Sequence, residues 1–423
     1  MSLDYKQKYS FGADYGTSFF KFGSILCGEE PKMIENRGYF PRNDNIMHNA
    51  FGETKDIVVG DEVPLYLQAK EDLTENLIYP MKNGIVEKNN SRAWDVVKAI
   101  SLYGLEAFEP TDNDFEGFNI VASLSSIAPR YMYEKIFQIY KEINERRKLI
   151  KAATVISQPL SVAIAHKVTT CTVIESGHGN TQVCPISHYP IRNAIVPINR
   201  GGGDANSITA EILKDLGYSD LAREEAFVTR AKEKLGLIPV DFEKSVAKAK
   251  KHPKKFKNKF KIPGTRIVVE LEENTWTRFL IGEYVFDPNH ELFTSYFKRG
   301  LPKPKDIRIG DLLFKGMLDF GEAIIEAVER CPVELQPHLY RNILLSGGNF
   351  CWEQPSMQLK GLATSANSKI KLLLRKKGIT NVNISMTNEP QYSVWRGTII
   401  YGYAVPENYN WSWEQLEGWI SFD

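Results

Sequence analysis

Three glycine-bearing turns hold the side chains of this chain best suited to chemistry. Asp14 ends an apolar run and precedes Tyr15-Gly16-Thr17-Ser18, while Glu175 ends another and precedes Ser176-Gly177-His178-Gly179. Such turns suit phosphate, because glycine lets the backbone approach an anion and successive N–H groups form a concave donor site. A carboxylate at the strand end does not welcome phosphate itself, but it can hold Mg²⁺ through water. Two such turns can grip a polyphosphate from opposite sides. Gly347 and Gly348, in the run ILLSGGNF over Ile343–Phe350, offer a third contact. The P-loop pattern GxxxxGK[ST] is absent. A strand-end carboxylate packs little apolar area, so Asp14 is expected to be removable without loss of fold.

The elements that must position these turns follow from periodicity. Tyr9–Ile25 reads as two strands around the first turn, and Thr172–Ile186 as its weaker echo. A helix is expected from about Ser91, and another over Tyr131–Lys148, where Tyr133, Ile136, Phe137, Tyr140 and Ile143 share one face. Ala152–Ala165 reads as a strand broken at Pro159 and then a helix. Arg200–Asp204, RGGGD, reads as a three-glycine turn into a helix over Ser207–Leu216, which Gly217 stops. Further helices are expected over Arg223–Leu235 and Gly321–Cys331, and a buried turn and helix over Asn388–Ala404. Arg37–Gly60 loses periodicity and reads as a long surface excursion. Phe286–Lys305 mixes aromatics with Pro and Gly. It reads as a surface loop or short helix that exposes Phe293, Tyr296 and Phe297. Lys244–Lys261 crowds lysines around His252 and Pro253. This is either a solvated basic face or a site for a polyanion or an acidic neighbouring protomer.

The global figures bound these readings. At 423 residues the chain exceeds one ordinary core, so two lobes are expected. With 43% hydrophobic and 25% charged residues it reads as soluble and globular. A net charge of +1 argues against a nucleic-acid partner. Five scattered cysteines, odd in number and without CxxC spacing, read as buried reduced thiols of a cytoplasmic protein. No apolar run approaches a membrane span, and MSLDYKQKYS lacks the core of a signal peptide.

Five segments together resemble the nucleotide-contacting motifs of the actin superfamily, in order: FGADYGTSFFKFG, SQPLSVAIA, ESGHGNTQVCPI, LLSGGNF and EPQYSVWRGTIIYGYA. VGDEV at Val59–Val63 and YPMKNGIV at Tyr79–Val86 are similar to actin's own segments. ESGHGN, FLIGEYVFDPNH at Phe279–His290 and the lysine-rich insertion most resemble the archaeal crenactins. The resemblance implies an α/β actin-like fold, two RNase H-like lobes in four subdomains around a nucleotide cleft. Residues 1–35, 77–165 and 389–423 would form subdomain 1, and 36–76 subdomain 2. Residues 166–201 and 294–388 would form subdomain 3, and 202–293 subdomain 4.

The cofactors implied are ATP or ADP with Mg²⁺. By position, Asp14 resembles the carboxylate that holds metal-bound water. Gly16, Thr17 and Ser18 resemble the first phosphate hairpin, and Lys21 the lysine that reaches the phosphates. Gln158 resembles the glutamine that orients the attacking water, and an amide can accept from water while donating elsewhere. Gly177, Gly179 and Asn180 resemble the second hairpin, and Gly202 the turn near the nucleotide. Lys232 and Glu233 resemble the base- and ribose-side pair, and Gly347, Gly348 and Asn349 the adenosine loop. There are departures. Glu175 stands for an aspartate, His178 for a second aspartate near the water, Gln182 for a histidine, and Gln391 for a lysine near adenine. With Gln158, His178 and Glu175 are the candidates for catalysis.

Three functions compete. The favoured one is a cytoplasmic, cytoskeletal ATPase that assembles into helical homopolymers, hydrolyses slowly, and has accessory cytoskeletal proteins as partners. The second is an actin-related scaffold that binds nucleotide without polymerising. The third is a small-molecule kinase, disfavoured by His178 where a carboxylate base would be needed.

Overall fold

A computed structural model describes residues 4–43, 45–68, 75–261, 266–353, 355–405 and 409–422. The chain divides into two units, one of Met1–Thr169 with Tyr392–Asp423 and one of Thr170–Gln391.

The first unit is built on a six-stranded sheet. Its order is Ile420–Ser421, Ile150–Ser157, Phe118–Leu124, Ser10–Tyr15, Phe19–Ser24 and Lys32–Glu35. The run FNIVASL is buried at every position, which marks a central strand covered on both faces. Its period of two sorts the faces. Ile120, Ala122 and Leu124 join a core with Phe11, Phe20, Phe22 and the helices Ser91–Glu106 and Arg130–Arg147. Val121 turns the other way, to Ile156, Trp419, Leu160 and Tyr401. On that side helix Ser393–Ala404 runs close against helix Gln158–Ala165. A Cβ on Gly397 would overlap the carbonyl oxygen of Ser161.

The second unit repeats the pattern. Strands Thr181–Ser187, Thr170–Ser176, Ile343–Ser346 and Ile384–Met386 lie in that order. Ile174, Val183, Ile343 and Leu345 pack with Phe320, Ile324 and Ile370. A separate core gathers Ile208, Ile212, Val228, Phe242, Phe279, Tyr284 and Phe293.

Several expectations are corrected. Arg37–Gly60 is not featureless. It carries strands Gly38–Tyr39 and Val58–Val59 and helix Ile46–Phe51. Tyr39, Val58, Val63 and Tyr66 give the region a core of its own. The helix expected at Ser207 starts earlier, at Gly202. Phe293 and Tyr296 are not exposed: at 0% and 4% they are core residues of helix Glu291–Lys298. Phe293 stacks on Phe242 and meets Tyr284, and Phe297 is half-buried against the same core. Helical spacing explains this, since positions 293 and 296 fall on one side of a helix that flanking Pro and Gly had suggested was a loop. The five cysteines are free, and Cys171, Cys184 and Cys331 are buried, but Cys27 is half-buried and Cys351 exposed. Among the described residues no helix is long and apolar enough to cross a membrane.

Candidate functional site

Strand register builds the first half-site. In the antiparallel pair Asp14 lies opposite Lys21, and in the parallel pair it lies beside Ser123. Directly facing residues share a side of the sheet, so both side chains reach the carboxylate. Lys21 Nζ donates to Asp14 Oδ2 at 2.9 Å, and Ser123 Oγ to Asp14 Oδ1 at 3.0 Å. Gln158 follows directly on strand Ile150–Ser157, the next strand over, and its Nε2 donates to the same Oδ1 at 2.8 Å. A second contact from Nε2 to the Tyr15 carbonyl, at 3.3 Å, sets the plane of the amide. Among the described residues no donor reaches Gln158 Oε1, which is left to accept.

The turn itself is held from outside. Gly16 N–H donates to the Phe19 carbonyl, and Asn36 ties the Gly16 and Ser18 carbonyls through its side chain and backbone N–H. Thr17 Oγ1 accepts from Gly84 N–H at 3.0 Å, which anchors the Asn83-Gly84 turn on the hairpin.

The second half-site has the same register. Glu175 lies opposite Gln182 in its hairpin and beside Ser346 in the parallel pair. Each strand-end carboxylate thus has a long polar residue across the hairpin and a serine on its parallel neighbour. Behind the turn, Ser176 Oγ and Thr181 Oγ1 are 2.6 Å apart, and Thr181 donates to the Arg200 carbonyl. The Gly177 N–H donates to the Asn180 carbonyl, and Asn180 Oδ1 accepts from Gln182 Nε2. Asn349 Nδ2 donates to Ser176 Oγ at 2.9 Å and to the Gly177 carbonyl at 2.8 Å. Gly347 sits at φ 106°, and a Cβ there would overlap the Ser176 carbonyl, so the position requires glycine.

Helix Gly202–Asp215 points its first turn at this loop. Gly202 N–H donates to the Gly177 carbonyl and Gly203 N–H to the His178 carbonyl, both at 2.9 Å. Asp204 Oδ2 accepts from Gly201 N–H, closing the N-terminus. This is why the helix begins at the glycines. Arg200, 1% exposed, locks the approach by donating to the carbonyls of Val285, Gly316 and Leu318.

Electrostatics single out two groups. Burial lowers the Lys232 ammonium to about 8, against smaller opposing effects of Glu233 and Glu225. Its Nζ donates to the Gly202 carbonyl at 3.2 Å. Burial also lowers the His178 pKa; Glu225 counters this and Lys232 adds to it, so the balance favours the neutral imidazole. His178 Nε2 lies 3.7 Å from Glu225 Oε1.

Residues 14–406 match the actin family. The chain belongs to that family. The α/β architecture agrees with the actin-like fold expected from the motifs. One relative is Actin-related protein 3 of Saccharomyces cerevisiae, 26% identical over 376 residues, which cover 84% of this chain and 74% of that protein.

Within the first unit of this actin-family chain, Asp14, Lys21 and Gln158 form one bonded group, with Gly16, Thr17 and Ser18 in the adjoining turn. Within the second, Gly177, His178, Asn180, Gly202, Lys232, Gly347 and Asn349 are joined by bonds or close approach around Glu175, Gly179 and Gly348. Glu233 is exposed on its helix, 3.5 Å from Arg230, and acts on the group through its charge on Lys232. Ser123, Asn36 and Glu225 escaped the sequence reading, and Arg200 entered it only as the start of the RGGGD turn; Ser123 left a signal as a small polar residue after the apolar run FNIVA.

Proposed function

We propose that this actin-family protein binds Mg²⁺-ATP, assembles into helical filaments and hydrolyses ATP slowly on assembly. The repeated register supports this most: a carboxylate at the end of a central strand in each unit, followed by a glycine turn whose carbonyls are tied back. The residues present suit the group. Asp14 keeps acceptor capacity for metal-bound water beyond the three donors it receives, as a carboxylate has about four lone-pair sites. Lys21 and Lys232 supply positive charge, and the two turns supply N–H donors. When bound, the magnesium nucleotide supplies the phosphoryl group and the neutralising cation. Gln158 orients water through Oε1 while Asp14 and Tyr15 fix its amide. His178, held neutral, is placed to orient water or contact phosphate. Glu175 keeps the charge of a second metal-facing carboxylate.

The four-subdomain division and the kinship with archaeal crenactins belong to the same reading, as do a cytoplasmic cytoskeletal setting and accessory partners. Assembly is supported by Ile46, Phe51 and Leu65, which stand exposed on the small region around Tyr39. The segment Phe286–Phe297 offers no comparable patch, because Phe293 and Tyr296 are core. A second reading, an actin-related scaffold that does not polymerise, draws on the likeness to Actin-related protein 3. Pelleting with and without ATP, with phosphate release measured in parallel, separates the two. ATP-dependent pelleting with turnover is expected; nucleotide binding with neither leaves the scaffold.

A further inference from the structure

The surface carried by residues 241–261 and 266–271 takes no part in either half-site. Nine lysines and no arginine fall between Lys244 and Lys261, and all nine are exposed. The whole chain carries only +1, so this is a local concentration of charge. It is built on ordered structure. Helix Phe242–Lys251 buries Phe242, Ser245, Val246 and Ala249, which leaves Lys244, Lys248 and Lys251 together on the opposite stripe. A short 3₁₀ turn follows with Lys254 and Lys255 exposed and Phe256 buried. Strand Asn258–Lys261 then turns Lys259 and Lys261 outward and Phe260 inward.

Three of the nine are occupied. Lys244 lies 3.8 Å from Asp241, Lys257 pairs with Glu272, and Lys250 covers the Trp276 ring. Lys248, Lys251, Lys254, Lys255 and Lys261 have no acidic partner among the described residues, while Lys259 lies opposite Glu270 in the hairpin and its charge also acts on Glu272. The His252 pKa is lowered first by desolvation and then by Lys248, Lys255 and Lys251, which places those lysines around one point.

A second feature narrows the partner. Val268 lies directly opposite Lys261 in the hairpin and is 42% exposed, and Ile267 beside it is 41% exposed. Polynucleotide backbones have no use for bare aliphatics, and the segment's aromatics, Phe242, Phe256 and Phe260, are buried and offer no base-stacking platform. Basic residues flanking exposed aliphatics suit a surface that is anionic outside and apolar just beneath. We propose that this face docks the protein on an anionic lipid bilayer, with the lysines against the headgroups and Ile267 and Val268 entering the interfacial layer.

The test is flotation of the full chain with vesicles, which separates bound protein from any assembled protein that sediments. Vesicles of phosphatidylcholine mixed with phosphatidylglycerol are compared with phosphatidylcholine alone. Binding is expected only with the anionic lipid, falling as salt screens the charge. Changing Lys248, Lys251, Lys254 and Lys255 to Glu should weaken it by on the order of a hundred-fold or more. Ile267→Asp with Val268→Asp should weaken it at least about ten-fold. Both variants should keep the wild-type melting transition, since every side chain changed is exposed. Absent flotation, or equal flotation with neutral lipid, overturns the proposal. So does full binding by the aliphatic variant, combined with loss in the lysine variant and retention of duplex DNA or polyglutamate by the wild type. That pattern would assign the lysines to a nucleic acid or an acidic protein.

Discussion

Removing the Asp14 carboxylate is the sharpest test of the first half-site, and its effect on folding is as informative as its effect on binding. Asp14 is 1% exposed and receives Lys21, Ser123 and Gln158. Asp14→Ala removes the shared acceptor of all three where water hardly reaches: the Lys21 side chain is only 16% exposed, Ser123 and Gln158 are buried, and Gln158 Nε2 keeps the Tyr15 carbonyl. Deleting one partner of a buried ion pair costs about 3–5 kcal/mol. The alanine variant is therefore expected to lose stability of that order, against the expectation that a strand-end carboxylate can be removed harmlessly. Asp14→Asn retains an oxygen for Ser123 and Gln158 but turns an N–H toward Lys21, so a smaller loss of about 1–3 kcal/mol is expected. Urea unfolding of the nucleotide-free protein, following the unit that contains Asp14, measures both. Calorimetry of ATP binding with Mg²⁺ and with EDTA then asks whether the milder variant has lost its metal dependence. An alanine variant within about 0.5 kcal/mol of wild type would refute the bonded network. Undiminished Mg²⁺ dependence in Asp14→Asn would remove Asp14 from the metal's surroundings.

Other predictions follow from the same geometry. Gln158→Ala should keep ATP binding but slow phosphate release about ten- to a hundred-fold, as expected for loss of a water-positioning group; unchanged release in single-turnover assays contradicts the role given to Oε1. His178→Ala should slow release likewise if the imidazole orients water, whereas weakened ATP binding with normal turnover assigns it to phosphate. Lys232 has a folded pKa of about 8 against an ordinary 10.5, so the folded chain binds fewer protons than the unfolded one between those values. Stability from this group should therefore rise with pH across that window. An anion bound beside Lys232 should draw a proton onto it there, seen as buffer-dependent binding enthalpy that vanishes in Lys232→Met. Phe293→Ser should destabilise the second unit by about 3–5 kcal/mol, the cost of emptying a fully buried aromatic site. A wild-type melting curve would return Phe293 to the surface.

Local chemistry made much of this protein readable from its residues. Glycine turns after apolar strands, helical stripes such as Tyr133 to Ile143, and the break at Pro159 depend on neighbours within a few positions. They appear as strands Ser10–Tyr15 and Phe19–Ser24, helix Arg130–Arg147, and the junction of strand Ile150–Ser157 with helix Gln158–Ala165. Asp14 was legible as a carboxylate at a strand end, while Lys21 and Gln158 came from the family motifs, and the structure then sets Lys21 and Gln158 on Asp14. Tertiary structure alone decided the rest. Ser123 reaches Asp14 through a parallel pairing more than a hundred positions away, and no periodicity encodes which strands become neighbours. The start of helix Gly202–Asp215 depended on the carbonyls of Gly177 and His178, which accept its first N–H groups and make a glycine run helical where local propensity favours a turn. The burial of Phe293 was decided by Phe242 and Tyr284, contributed by other helices. Exposure is a property of what packs against a residue, and the partners of Phe293 lie on other helices.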